Sequence, residues 1–175
     1  MKLPFQPDFT DRVAVVTGGA GVLCSEFCRA LAQCGAKVAI LNRTLSKAEA
    51  LAEEICSGGG IAAAIQVDVT DEESVRRAHR EVLDRFGACD ILINGAGGNN
   101  PKGSTTKDYL EEADLENNVD VTGIKTFFDL DPDGVSFVFN LNFLGTLIPT
   151  QVFAKDMAKR AETSIINVSS MNAFR

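Results

Sequence analysis

Between Val13 and Cys34 an apolar run, a glycine-rich turn and a helical period follow one another without a gap, and the chain then repeats that order. Val13-Ala14-Val15-Val16 is apolar throughout, as suits a strand buried on both faces of a parallel sheet. It runs into Thr17-Gly18-Gly19-Ala20-Gly21. Beyond the turn, Leu23, Phe27, Ala30, Leu31 and Cys34 fall at helical spacing, and Gly35 supplies a stop. Residues 37–41, 61–67 and 90–94 read as further strands, and residues 46–56 and 71–86 as the helices between them. Asp131-Pro132 reads as an N-cap followed by proline at the first helical position. The helix it opens runs towards Arg160 with a kink at Pro149, and residues 164–169 give a fifth strand. Strict alternation predicts right-handed βαβ units, hence an α/β fold of Rossmann type with a doubly wound parallel sheet. The length of 175 residues fits a single domain over 1–175.

Charge is concentrated in one place. Residues 107–133 hold nine acids against two lysines, which is the whole of the net charge of −7, and the remainder of the chain is balanced. An acidic balance argues against a nucleic-acid partner, because phosphate contacts need clustered Lys and Arg. No run of about 18 apolar residues is present, so no membrane span is expected, and Met1-Lys2-Leu3-Pro4-Phe5-Gln6-Pro7 has no signal-peptide pattern. Cys24, Cys28, Cys34, Cys56 and Cys89 form no CxxC pair and have no His at ligand spacing. They read as buried free thiols of a reducing, cytoplasmic compartment, with no metal site. The acidic stretch, part of an insertion at about 99–131, is expected to be a solvated hairpin or a subunit contact without internal counter-ions. The single His79 is expected to be a solvated helix residue, surrounded by Glu73, Arg76, Arg77, Arg80 and Glu81.

The chemistry begins at the first strand-to-helix turn. Glycine lets the backbone approach a ligand, and the free N–H groups that open the helix favour an anion. Thr17, Gly18, Gly21, Val22 and Leu23 therefore form a candidate cradle for a dinucleotide pyrophosphate.

These residues, with four further stretches in the right order, resemble the short-chain dehydrogenase/reductase family across essentially the whole chain. Thr17, Gly18 and Gly21 match its TGxxGxxG turn, with Cys24 in place of the third glycine. Asp68-Val69 matches its adenine-contacting pair. Asn94-Gly95-Ala96-Gly97 matches its NNAG motif with Gly95 in place of the second Asn; the resemblance puts Asn94 and Ala96 on the nicotinamide side and makes Gly97 a cofactor-binding residue. Asn142 matches the catalytic Asn, which in the family supports a proton relay through a backbone-bound water. Ser169-Ser170 matches the catalytic Ser, with Ser170 polarising the substrate oxygen. At the end of the second strand, NAD enzymes usually place an acid on the ribose hydroxyl. Here Asn42 is uncharged and Arg43 follows, able to pair with a 2′-phosphate. That favours NADP over NAD, although Arg43 can also be a solvated surface residue.

Within the family, Gly21-Val22-Leu23-Cys24, Ile93–Asn99, Leu141–Thr146 and Ser169–Ala173 resemble the D-mannonate oxidoreductase (fructuronate reductase) type. The resemblance implies hydride transfer between nicotinamide and a secondary alcohol or ketone of a sugar acid (mannonate/fructuronate), in a homo-oligomer of the complete enzyme. The family's proton donor is a Tyr about a dozen residues after the Ser, with a Lys four further on. The only tyrosine here, Tyr109, precedes the fifth strand and has Ala113 four positions on. The expectation is therefore the N-terminal part of such an enzyme, its sheet left open after the fifth strand. The alternative is a catalytically inactive dinucleotide-binding chain.

Overall fold

The computed structural model describes residues 7–116 and 122–170. The N-terminal stretch through Gln6, Asp120, and Met171-Asn172-Ala173 lie outside the described residues. Five parallel strands stand in the order β3-β2-β1-β4-β5. They are β1 (Val13–Thr17), β2 (Lys37–Asn42), β3 (Ile61–Gln66), β4 (Ile91–Asn94) and β5 (Ser164–Asn167). The helices α1 (Val22–Gln33), α2 (Leu45–Ser57) and α3 (Glu72–Phe86) connect the first four strands. Boundaries fall within two residues of those expected.

The side-chain alternation of the strands sorts the core into two layers. Val13 and Val15 of β1, with Leu41, Ile65 and Leu92, meet Val75 and Val82 of α3 and Phe153 on the final helix. Ala14 and Val16, with Val38, Ile40 and Ile93, meet Cys24, Cys28, Leu51 and Ile55 of α1 and α2. Fully burying each Val, Leu or Ile contributes about 1.5–3 kcal/mol, so both faces of the sheet are held. The doubly wound sheet is as expected.

After β4 comes the insertion, expected as a solvated hairpin or a subunit contact. Among the described residues its helical pieces are short 3-10 turns, at Pro101–Gly103, Glu112–Glu116 and Phe127–Asp129. Its two limbs bond to each other where the Thr106 N–H meets the Lys125 carbonyl at 2.9 Å and the Lys125 N–H meets the Thr106 hydroxyl at 2.8 Å. Its acidity is not without internal counter-ions. Lys107 Nζ lies 2.6 Å from both Glu111 and Asp114, and Lys102 lies 3.6 Å from Asp131. The Lys107 ammonium and the backbone N–H of Glu111 hold the Asp114 carboxyl below its ordinary range. Lys125 instead caps the Pro101 carbonyl at 2.8 Å.

Asp131 caps the next helix as expected, accepting the Asp133 N–H at 2.8 Å. That helix, α4 (Pro132–Phe139), passes through a π-helical turn (Asn140–Leu144) into α5 (Gly145–Met157). The irregularity was expected at Pro149 but lies one turn earlier. The widened turn restarts the helix at Gly145. Pro149 lies inside α5, where it cannot bond the Gly145 carbonyl, in the second turn after the widened one. Pro132–Met157 is also long and apolar enough to cross a membrane by length and composition, although polar residues interrupt its apolar run. Val152, Phe153 and Met157 seat its last turns in the core.

Candidate functional site

The carboxyl ends of the strands open on a cavity of about 470 Å³. Gly18 and Gly21 form its floor beside Gly95, Ala96 and Gly97. Leu41, Asn42 and Arg43 close the β2 side, and Val67, Asp68, Val69 and Thr70 the β3 side. Phe137, Asn140 and Leu141 face them from α4 and the π turn. Eight residues expected from the sequence thus share one cavity: Gly18, Gly21, Asn42, Arg43, Asp68, Val69, Ala96 and Gly97.

The floor is tied together below the surface. Thr17 is fully buried and is not a wall; its hydroxyl accepts the N–H groups of Gly95 at 3.1 Å and Ala96 at 3.2 Å. Gly18 has φ +63°, and a Cβ there would stand 2.9 Å from Ala96 Cα, so only glycine fits this crossing. Gly21 caps α1 without a side-chain bond, and no acid occupies the first turn. The first N–H groups of α1 are left for an anion. The Val22 and Leu23 side chains are 96% and 53% exposed and do not wall the cavity, so only their backbone can serve it.

At the β3 end the Asp68 carboxylate takes two hydrogen bonds on one oxygen, from the Thr70 hydroxyl at 2.7 Å and the Thr70 N–H at 2.9 Å. These bonds, with Arg43 nearby, lower its pKa and keep it charged. Its second oxygen makes no hydrogen bond among the described residues. Asn42 donates its amide N–H to the Thr44 carbonyl at 2.9 Å, and the Arg43 guanidinium is exposed with no ion pair among the described residues.

The residues expected on the catalytic side are less uniform. Asn94, 2% exposed, is not a cavity wall. Its amide N–H groups go to Thr150 at 2.9 Å and to Asn167 at 2.8 Å, tying β4 to α5 and β5, while its buried Oδ1 has no partner among the described residues. Asn142 lies in the π turn and grips the loop after β4 from both sides. Its Oδ1 accepts the Gly98 N–H at 3.0 Å and its Nδ2 donates to the Gly98 carbonyl at 2.7 Å. Its main-chain carbonyl accepts the Thr146 hydroxyl at 3.0 Å. Ser170 lies exposed beyond β5, on the same edge of the sheet as Gly95. Tyr109 is 70% exposed on the insertion and is not a wall of the cavity.

Sequence reasoning missed Thr70, Phe137, Asn140 and Leu141. Thr70 carried a signal, since a hydroxyl two residues after an Asp commonly bonds back to it. The other three did not, because their placement depends on the π turn. Two more expectations change. His79 is not solvated: its Nε2 lies 3.0 Å from Asp156 and its ring meets Phe153 edge-on at 5.0 Å, joining α3 to α5. Four of the cysteines are buried, but Cys56 is exposed. Among the described residues no cluster of His, Cys, Asp or Glu could hold a metal ion.

Known proteins share this arrangement. A family model for short chain dehydrogenase matches residues 12–175. An "Uncharacterized oxidoreductase" of Haemophilus influenzae is 44% identical over 99% of this chain, and one of Bacillus subtilis, named UxuB, is 45% identical over 98%. The chain spans 59% of the length of either relative. Among solved structures, a "putative D-Mannonate oxidoreductase" from Haemophilus influenzae with bound NAD superposes with a TM-score of 0.88 at 44% identity, over 96% of this chain and 58% of that one. The sheet order, the glycine floor and the family match over nearly the entire sequence agree: the chain belongs to the short-chain dehydrogenase family.

Proposed function

We propose that this chain provides the dinucleotide site and part of the catalytic site of an oxidoreductase acting on a secondary alcohol or ketone, a sugar acid of the mannonate/fructuronate kind. The observation that carries the reading is the cavity itself. It joins an uncapped helix start, suited to a pyrophosphate, to an ionised Asp68 with a spare oxygen, suited to an adenine amino group. The name and bound NAD of the Haemophilus structure support the substrate class and the cofactor. The nicotinamide, when bound, would carry the hydride. Ser170 would orient the substrate oxygen without ionising. Asn142 would act by holding Gly98, and through it the floor at Gly97. The family's proton donor, a Tyr with a Lys four positions on, has no counterpart in residues 1–175, and Tyr109 is not placed to supply the proton. The buried thiols fit a reducing, cytoplasmic setting.

Cofactor preference in this reading is set by Asn42 and Arg43. No carboxylate repels a 2′-phosphate there, and the exposed Arg43 can pair with one, which favours NADP. The bound NAD in the 44% identical structure favours NAD as the second reading. The test is to titrate the chain with both cofactors, and to assay a chain extended by the remaining two-fifths found in its relatives with fructuronate. The extended chain should turn over, and the 175-residue chain should bind but not turn over. Asn42→Asp with Arg43→Ala should move the preference towards NAD by about 1.5–3 kcal/mol, the worth of a charge-assisted hydrogen bond. Unchanged cofactor ratios would remove Arg43 from the site, and fast turnover by the short chain would overturn the assignment of the proton donor.

The same reading includes a homo-oligomer. Between residues 134 and 154 the sequence has no charged side chain, and Phe139, Phe143 and Leu147 lie exposed along that stretch. Such a face fits a subunit contact. Sedimentation should show a dimer or larger that Phe143→Glu dissociates; a wild-type monomer at micromolar concentration would refute it.

A further inference from the structure

The wall formed by α4 and the π turn can be assigned a specific part of the ligand, given the dinucleotide reading above. The lower end of this stretch is fixed against the β3 side of the cavity. A Cβ on Gly145 would stand 2.8 Å from Val69 Cγ2, and Leu141, four residues earlier, packs on the core cluster that contains Val67 and Val69. Leu141 also lies 3.4 Å from where a Cβ would stand on Gly98, and Asn142 clamps that same glycine through two hydrogen bonds. Phe137, four residues before Leu141, lines the same cavity. It is 41% exposed and sits on a helix capped by Asp131.

The sheet order decides which half of a dinucleotide it meets. Val69 follows β3, at the opposite edge from β5, and β1 with its glycine turn lies between them. A pyrophosphate on that turn would send one nucleoside towards Asp68 and Val69 and the other towards Asn167 and Ser170. Phe137 lines the cavity together with Val67, Asp68, Val69 and Thr70, and Gly145 of the same stretch abuts Val69, which assigns Phe137 to the first.

We propose that Phe137 stacks on the adenine, closing the base between its ring and the end of β3. Aromatic side chains of this kind bind any purine face, and a ring already held in place loses little freedom on binding. The stack makes Phe137 a determinant of adenine-half affinity with no part in hydride transfer.

The test uses the 175-residue chain, with ADP-ribose and nicotinamide mononucleotide as separate probes. Phe137→Ala should weaken ADP-ribose binding roughly tenfold by calorimetry, the scale for losing one stacked base, and leave the mononucleotide unchanged. The chain has no Trp, so Phe137→Trp provides a single reporter. ADP-ribose should quench its fluorescence saturably at the calorimetric dissociation constant, and the mononucleotide should not. If the wild-type chain binds ADP-ribose but Phe137→Ala binds it equally well and the Trp is not quenched, the stacking assignment falls alone. Quenching by the mononucleotide instead would place Phe137 on the wrong half and also overturn it. If the wild-type chain binds neither probe, the dinucleotide reading falls and the stack with it.

Discussion

Gly95→Asn is expected to destabilise the protein by about 2–3 kcal/mol, and Cys24→Gly in the same chain is expected to recover most of that loss. A Cβ built on Gly95 stands 2.2 Å from Cys24 Sγ and 3.1 Å from the Thr17 carbonyl. The thiol is 4% exposed and packs in the layer between the sheet and α1, so it has no free direction in which to retreat. Overpacking of a filled interior typically costs 1–3 kcal/mol, and an Asn amide enclosed without partners adds to it. Cys24→Gly alone should also destabilise, because glycine inside a helix costs about 1 kcal/mol relative to alanine and the thiol leaves a void. Each single change is therefore harmful while the pair is close to neutral, a coupling well outside the 0.3–0.5 kcal/mol seen for independent sites. Urea denaturation of the four members of the cycle measures it. Additive losses would show that the two positions do not share one space.

This pair shows what the sequence could and could not convey. Cys24 and Gly95 are the two departures from the family pattern in the first turn and after β4. Seventy-one positions separate them, and along the chain they read as unrelated substitutions. Only the packing of α1 against β4 makes them one exchange, with sulfur in α1 filling the space left by a missing side chain after β4. The sheet itself was legible because Val13–Val16 and its counterparts are apolar on both faces, a pattern that few other elements can bury. The cavity floor was legible for a similar reason, since Gly18 and Gly21 announce a backbone crossing by their residue type. Phe137 and Asn140 announced nothing. Asn140 reaches the cavity from the π turn and Phe137 from the helix just before it, and a sequence period of 3.6 cannot foresee a turn that holds one residue more. The acidic insertion was misread for a related reason. Lys107 reaches Glu111 at helical spacing although no helix is there, and it reaches Asp114 only because the chain turns back at Glu112–Glu116.

The largest loss of stability from a single side chain is expected far from the cavity, at the amino edge of the sheet. Asp90 is 2% exposed and gathers three elements around one carboxylate. Its Oδ2 accepts the Val13 N–H at 2.8 Å, where β1 begins. Its Oδ1 accepts from Arg160 at 2.7 Å, beyond the end of α5, and faces Arg12 at 3.4 Å. Arg160 also donates to the carbonyls of Ala88 and Cys89, so the same contact fixes the approach to β4. Removing one partner of a buried ion pair typically costs 3–5 kcal/mol. Here both arginines keep about a third of their side-chain surface in water and can rehydrate, which puts Asp90→Ala near the lower limit, at about 3 kcal/mol. The Val13 N–H would remain buried without an acceptor, a penalty of about 1–3 kcal/mol that forms most of this figure. Asp90→Asn keeps an acceptor for Val13 while losing the charge, so it should cost roughly half as much. For a domain of this size each kcal/mol moves the melting temperature by about 2–4 °C, so Asp90→Ala should melt about 6–12 °C lower. ADP-ribose affinity of the folded variant should stay at the wild-type value, because the carboxylate and the cavity lie at opposite ends of β4. A drop below 2 °C would show that a water or a rearranged arginine takes over the Val13 N–H. A weakened ligand affinity at full folding would show that the two edges of the sheet are coupled, contrary to the rigid packing of Val15, Leu92 and Phe153 between them.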